Sequence, residues 1–552
     1  MLSESFPADL SDSRAALLVF AAAVVLLTML LAWRMRRTRR GLTGRSTIAL
    51  GFLAVSAIGV GYWWLFASTY YRIRANPEEI LLQLEMPRRD VRIARADVTR
   101  FALEPALRGA ARMVIETRDG RRYYSTAGPR TERIEAMARF EDLLTADMNE
   151  LAERYVRLVL QAGQHDADFV DAYYGPESLR PQPDRKTPPA DLLKSAEALR
   201  VEVEAVTLPP DADDLSKLRK EYLARQLLAV HSRLRMLNGE KFPFDAESRL
   251  LYDAVAPVNT EASFQQTLET LEQRLPGAGP LISRYEAFRK TFVIPSDRLD
   301  GVFTRAIDEC RRRTLGHLTL PEGESFTVEY VTGKSWSAYN WYKGGYRSVI
   351  QVNTDLPITI DRAIDLACHE GYPGHHVYNA LLEKNLVRDR RWIEFSVYPL
   401  FSPQSLIAEG TANFGIPVAF PGTSRVEFEK AALFPLAGID PARADEYYEV
   451  QALIDRLSYA GNEAARRYLD GNITREQAVD WLQRYAMMPK ERAEQRTRFF
   501  DQYRSYVINY NLGKDLVRQW VERNGGTEDR PEERWKVFGQ LLSSPRLPSG
   551  LR

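Results

Sequence analysis

The sequence predicts a mainly α-helical protein with one small β-sheet in its main domain, preceded by a small β-rich module and two membrane-spanning helices. Three observations carry this. After Thr131, apolar residues recur at three- and four-residue spacing, the period of an amphipathic helix. Residues 68–130 alternate apolar and polar side chains instead, as half-buried strands do. Near the N-terminus stand two uncharged runs of about the length a bilayer core requires. At 552 residues the chain is long enough for two or three domains. The expected division is 1–67, 68–130 and 131–552.

The two runs are residues 15–33 (AALLVFAAAVVLLTMLLAW) and 47–67 (TIALGFLAVSAIGVGYWWLFA). The second ends in Tyr62-Trp63-Trp64, residues that favour the headgroup level. Between the runs lie six arginines in twelve residues (34–45), so the positive-inside rule makes that loop cytoplasmic. The N-terminus and everything after Ala67 are then expected outside the cytoplasmic membrane. Arg72 and Arg74 just beyond the second run pull against that orientation. A cleaved signal peptide carries its positive charges ahead of the apolar run, and here they follow it.

In the β-rich module, residues 91–103 and 111–128 alternate around an Asp119-Gly120 turn, a hairpin signature. Beyond it, helices are expected from 131 onward and near 214–237, 261–275 and 297–315, with proline-rich loops at 180–189 and 207–213. One β patch interrupts them. FTVEYVTG (326–333) and YRSVIQVNTD (346–355) bracket SWSAYNWYKGG, and the second run ends just before the chemically most distinctive stretch. Such a strand could offer its edge to an extended peptide.

That stretch is Leu-Ala-Cys-His-Glu-Gly-Tyr-Pro-Gly-His-His-Val-Tyr, residues 366–378. The chain has six histidines, and three of them (His369, His375, His376) fall here. In a His-Glu-x-x-His helix, the two histidines share a face and hold zinc, and the Glu activates the attacking water. Here the second histidine is displaced to the sixth position. On an unbroken helix it would point about 120° away from the first. Pro373 cannot donate to the carbonyl of His369, so the helix must break there. Gly374 can take backbone angles closed to other residues. A bulge of two residues then returns His375 towards His369, leaving His376 to point elsewhere.

A zinc site needs a third protein ligand and an open position. Glu409, in LIAEGTANFG (406–415), is the best candidate, and it lies far enough along the chain for a return helix. This resembles the Glu-bearing second helix of glutamate-type zinc peptidases, so a gluzincin-like domain is expected. One Zn2+ per chain would sit on His369, His375 and Glu409, with Glu370 as general base. Tyr510, Tyr506 and Arg504 are candidates for steadying the oxyanion, Tyr510 above all. His165, His231 and His317 read as remote structural histidines. Cys368 reads as a small buried residue on another face. Cys310 and Cys368 are the only cysteines, so a disulfide scaffold is excluded, and one pairing is conceivable in an oxidising compartment.

These residues resemble the bacterial domain-of-unknown-function family number 885, whose members look like zincin-type metallopeptidases with an HExxPGHH signature. The resemblance covers roughly residues 140–525: FVDAYYGPESL at 169–179, HEGYPGHH at 369–376 and EGTANFG at 409–415. Carried over residue by residue, it implies the same ligands and the same base. The family more often has Trp where Thr411 stands, and Pro-Gly-Gln-Ala where Arg504-Ser505-Tyr506-Val507 stands; Tyr510 and Gly513 keep its Tyr-x-x-Gly.

The implied function is a membrane-anchored zinc peptidase acting on peptides outside the cytoplasmic membrane. An inactive membrane-tethered binding protein on the same scaffold, or a zinc amidase or esterase, would leave much the same sequence. Acidic and basic residues nearly cancel, for a net charge of +1. A nucleic-acid partner is therefore not expected.

Overall fold

The computed structural model describes residues 2–5, scattered helical positions between 21 and 56, most of 69–144, and 146–552 apart from 207, 209–211 and 335. The spans expected at 15–33 and 47–67 fall largely outside the described residues. Positions that are described there, among them Val24, Leu26, Leu30 and Val55, are helical. No helix among the described residues is long and apolar enough to cross a membrane. The chain forms two compact units, Met1–Glu150 with Val206–Asp213, and Leu151–Ala205 with Asp214–Arg552.

The first unit is built on one sheet. Its strands are β1 (Leu2–Ser5), β2 (Thr69–Ala75), β3 (Glu79–Leu84), β4 (Val91–Ala94), β5 (Val98–Pro105), β6 (Ala111–Thr117) and β7 (Arg122–Ser125). Their order is β4-β3-β2-β7-β6-β5, with β1 paired to β2. Only the β2–β7 pairing is parallel. Side chains of β3 alternate, so Ile80, Leu82 and Leu84 reach one buried cluster with Tyr70, Ile73, Phe101, Met113 and Ile115. The Asp119-Gly120 turn joins β6 to β7. Gly120 there has φ 79° and donates to the Thr117 carbonyl at 2.8 Å, a left-handed conformation that glycine adopts without a Cβ clash.

The second unit is mostly helical. The periodicity located three of its helices to within two residues: Asp214–Leu237, Glu261–Arg274 and Leu299–Leu315. Its strands are β8 (Val170–Tyr173), β9 (Ser325–Val331), β10 (Ala338–Gly344), β11 (Arg347–Asn353) and β12 (Val397–Pro399). β8 pairs with β12. The other three form a sheet in the order β10-β11-β9, with β11 antiparallel to β10 and parallel to β9. β9 and β11 are the two expected strands. β10 was hidden in the segment read as their connection, where Asn340 and Lys343 break the apolar run.

Helix Pro403–Ala419 crosses the middle of this unit. Proline at its first position is pre-set for a helix start. The helix is buried on every side, as a helix without a polar stripe must be. Glu409 is therefore a carboxylate on a core helix, only 6% exposed. A charge so placed is costly unless partners meet it.

Candidate metal centre

Helix Asp361–Leu366 does not run on through the central motif. It widens into a π-type turn over Ala367–Gly371. The Tyr372 amide donates to the Ala367 carbonyl at 3.1 Å, and the Gly374 amide to the Cys368 carbonyl at 2.9 Å. A cis Tyr372-Pro373 peptide follows, and a new helix, His375–Leu382, starts. The break thus begins six residues before the proline, where a kink centred on Pro373 was expected. Gly374 is required by close approach: a Cβ there would lie 1.9 Å from the His369 carbonyl oxygen. His369 ends up on the turn and His375 on the first turn of the next helix.

Their rings meet edge to face, with the two Nε2 atoms 3.1 Å apart. Glu409 Oε2 lies 3.3 Å from His369 Nε2 and 3.9 Å from His375 Nε2. These residues can offer three ligand atoms within 4.8 Å of one another. Tetrahedral zinc with bonds of ~2.0–2.2 Å keeps its donors roughly 3.3 Å apart, so the set fits a metal ion. Two further observations agree. Glu409 Oε2 is buried with no hydrogen-bond donor among the described residues, while Tyr506 donates to Oε1 at 2.9 Å. His369 Nδ1 faces Asn413 Oδ1 at 3.2 Å. The Asn413 amide nitrogen is spent on the Glu409 and Tyr510 carbonyls, at 3.0 and 3.2 Å. Asn413 therefore accepts from Nδ1–H, and in the neutral ring this leaves the His369 Nε2 lone pair for a metal. Burial, then the neighbouring His369, pushes the His375 imidazole down to about 4, so His375 is neutral and able to ligate.

Glu370 stands beside this cluster, 5% exposed, with its Oε2 free of any hydrogen bond among the described residues. Burial pushes its carboxyl up to about 7, against the pull of His369. Its carbonyl accepts from Asn340 of β10 at 2.6 Å. The four residues line a cavity of about 720 Å³, a size typical of small-ligand sites. Trp336–Asn340 line it, as do Tyr398, Tyr503, Tyr506 and Tyr510. Asp171 of β8 also lines it, accepting a short hydrogen bond from Tyr339. Burial raises Asp171 to about 8.

The other sequence candidates divide. Tyr510 lines the cavity. Tyr506 is committed to Glu409, which makes it a support for that carboxylate. Arg504 is not among the cavity residues: its Nε donates to buried Glu247 at 2.6 Å, so the oxyanion role considered for it does not hold. His376 faces away, towards Ser348 and Glu324, each at 2.9 Å. Glu324 also takes hydrogen bonds from Tyr372 and Arg311, and so anchors the broken segment from behind. His165, His231 and His317 bond remotely, to Thr187, Glu197 and Glu532. Cys310 and Cys368 face each other as buried free thiols.

Sequence reasoning missed Asn413, Asn340, Asp171 and a group of cavity arginines. Asn413 was accessible to it, because it stands one turn after Glu409 and shares its face.

No family model matches the sequence, and no curated protein does. Among solved structures, a "putative lipoprotein" from Colwellia psychrerythraea aligns at TM-score 0.39 and 15% identity, over 64% of this chain and 66% of that one, just under two thirds of it. A lipoprotein of unknown function from Shewanella oneidensis aligns at 0.33 and 14%, over 64% and 72%. An M32 carboxypeptidase from Deinococcus radiodurans aligns at 0.30 and 13%, over 72% and 90%.

Proposed function

We propose that the protein is a membrane-anchored zinc-dependent peptidase of the kind represented by the family-885 proteins. The observation that carries the reading is the convergence of His369, His375 and Glu409 on one point, beside a second buried carboxylate, Glu370, whose Oε2 has no hydrogen-bond partner among the described residues. Zinc held there would acidify a water molecule and polarise a carbonyl. Glu370, raised towards neutrality, is suited to take the water's proton and hand it to the departing amine. Asn413 and Tyr506 hold His369 and Glu409 in orientation. The Tyr510 hydroxyl borders the reacting space and is the candidate donor to the developing oxyanion. β10, an edge strand along the cavity wall, gives an extended peptide a backbone to pair with.

Membrane anchorage rests on the two apolar runs. The β1–β2 pairing supports a hairpin of two spans, because it returns residue 69 to the side on which residue 5 lies. A single span could not do that. Placement outside the membrane follows from the arginine-rich loop.

The test is hydrolysis of a mixed peptide library by the zinc-loaded full chain, with Glu370→Gln as control. Cleavage lost in E370Q with zinc retained supports the reading. Zinc bound but no peptide cleaved, while simple esters or amides are, would move the assignment to those substrates.

A further inference from the structure

Resting on the peptidase reading, we infer that Arg492 and Arg496 form a receptor for the free C-terminal carboxylate of the substrate, so that the enzyme trims peptides from the carboxyl end.

Both arginines lie on helix Lys490–Tyr503, one turn apart, and both line the catalytic cavity. Two other arginines of the cavity, Arg362 and Arg425, have a counter-ion: they reach Asp365 at 3.2 and 2.9 Å. Arg492 and Arg496 have no salt bridge or hydrogen bond among the described residues. The buried Arg496 Nε has no acceptor there. Arg496 lies over the Phe499 ring at 4.5 Å and 5.7 Å from the ring of Tyr510. This places it beside Tyr510. Arg492 is crowded by its own charge type. Burial, then Arg289, Arg362 and Arg496, lowers it to about 10.

Both side chains are half-buried, and guanidiniums withdrawn from water are normally paired, because desolvating an unpaired charge is expensive. A cluster that repels itself inside a ligand-sized cavity is therefore arranged for an anion that arrives with the ligand. Guanidinium matches a carboxylate through two parallel hydrogen bonds. A peptide carries such a carboxylate at its C-terminus. Bound there, it would point its last peptide bonds at His369, His375 and Glu370 across the same cavity. Asp171, which also lines the cavity and is raised to about 8 by burial, adds no competing negative charge near neutrality.

The experiment compares two libraries of identical sequences, one with free C-terminal acids and one with C-terminal amides. Products are identified by mass after incubation with the zinc-loaded full chain. The expected result is loss of C-terminal residues from the acids, with the amides at least 100-fold slower. In Arg492→Gln and Arg496→Gln the acid-to-amide ratio should fall towards one, mainly through KM, and Lys at either position should restore part of it. Folding is checked by thermal melting. Removing an unpaired, half-buried charge should leave the melting temperature unchanged or raised, so loss of selectivity is not loss of fold. Equal cleavage of acids and amides, or trimming from the N-terminus, overturns this proposal and leaves the peptidase reading standing. If wild type cleaves neither library, the peptidase reading fails. Calorimetry of acid against amide peptides then decides the receptor by itself: arginine-dependent preference for acids supports it, and equal or absent binding overturns it.

Discussion

Gly410 and Gly513 touch backbone to backbone. A Cβ on Gly410 would lie 2.5 Å from the Gly513 carbonyl carbon, and one on Gly513 would lie 2.7 Å from the Leu406 carbonyl oxygen. This contact lets helix Pro403–Ala419 and helix Ile508–Arg523 approach without side chains between them. It thereby sets Tyr506 against Glu409 and the Tyr510 carbonyl against Asn413.

Gly410→Ala and Gly513→Ala should each destabilise the protein by about 2–3 kcal/mol, since the colliding atoms are backbone and cannot swing aside. Urea unfolding measures this. A change below 0.5 kcal/mol, within the range of ordinary surface substitutions, would mean that the helices part without cost.

Asn413→Ala should weaken zinc binding by about 10- to 100-fold, the usual effect of losing the group that orients a ligating histidine. The far-ultraviolet circular dichroism should be unchanged. Competition with a chelator gives the affinity, and an unaltered value would show that Asn413 does not orient His369.

Gly374→Ala places a methyl 1.9 Å from the His369 carbonyl. The turn must open, carrying His375 away from His369. The expected outcome is loss of stoichiometric zinc, at a cost above the ~1–3 kcal/mol of ordinary overpacking. Retention of zinc would mean that the break tolerates a side chain.

Glu309 accepts from Arg312 and Arg313, and Arg313 reaches on to the Ala419 carbonyl at the end of the Glu409 helix. Hydrogen bonds from Arg312, with those of Arg313, outweigh burial and hold its carboxyl at about 2. Its folded value is thus below its unfolded one. The stabilisation is fully present above about pH 4.5 and is lost as pH falls through the folded value. Wild type should exceed Glu309→Gln by about 1 kcal/mol at pH 7, because Arg312 sits in solvent and the pair is screened. The gap should close between pH 4.5 and 2. A gap that is constant with pH would assign the effect to packing.

Much of the site was legible because it depends on local covalent facts. His369, Glu370 and His375 were visible through their spacing, and Pro373 and Gly374 announced the break. Glu409 followed from the need for a third ligand. Gly410 and Gly513 were present in the sequence, but their role is a tertiary contact and no spacing encodes it. Arg492 and Arg496 look like a solvated face of KERAEQRTRFF, since a charged residue one turn from another is ordinary on a surface helix. Only their place in the cavity, without an ion-pair partner among the described residues, separates them. Among strands, β9 and β11 were read from β-branched runs. β10 was missed because its polar Asn340 faces inward, to the Glu370 carbonyl.

The most direct test of the central claim is metal content. Zinc should be measured by elemental analysis on the purified full chain and on His369→Ala, His375→Ala and Glu409→Ala. One zinc per chain is expected in the wild type, with loss of that zinc in each variant. A wild type that takes up no metal even when zinc is supplied, or variants that all retain it, would contradict the account.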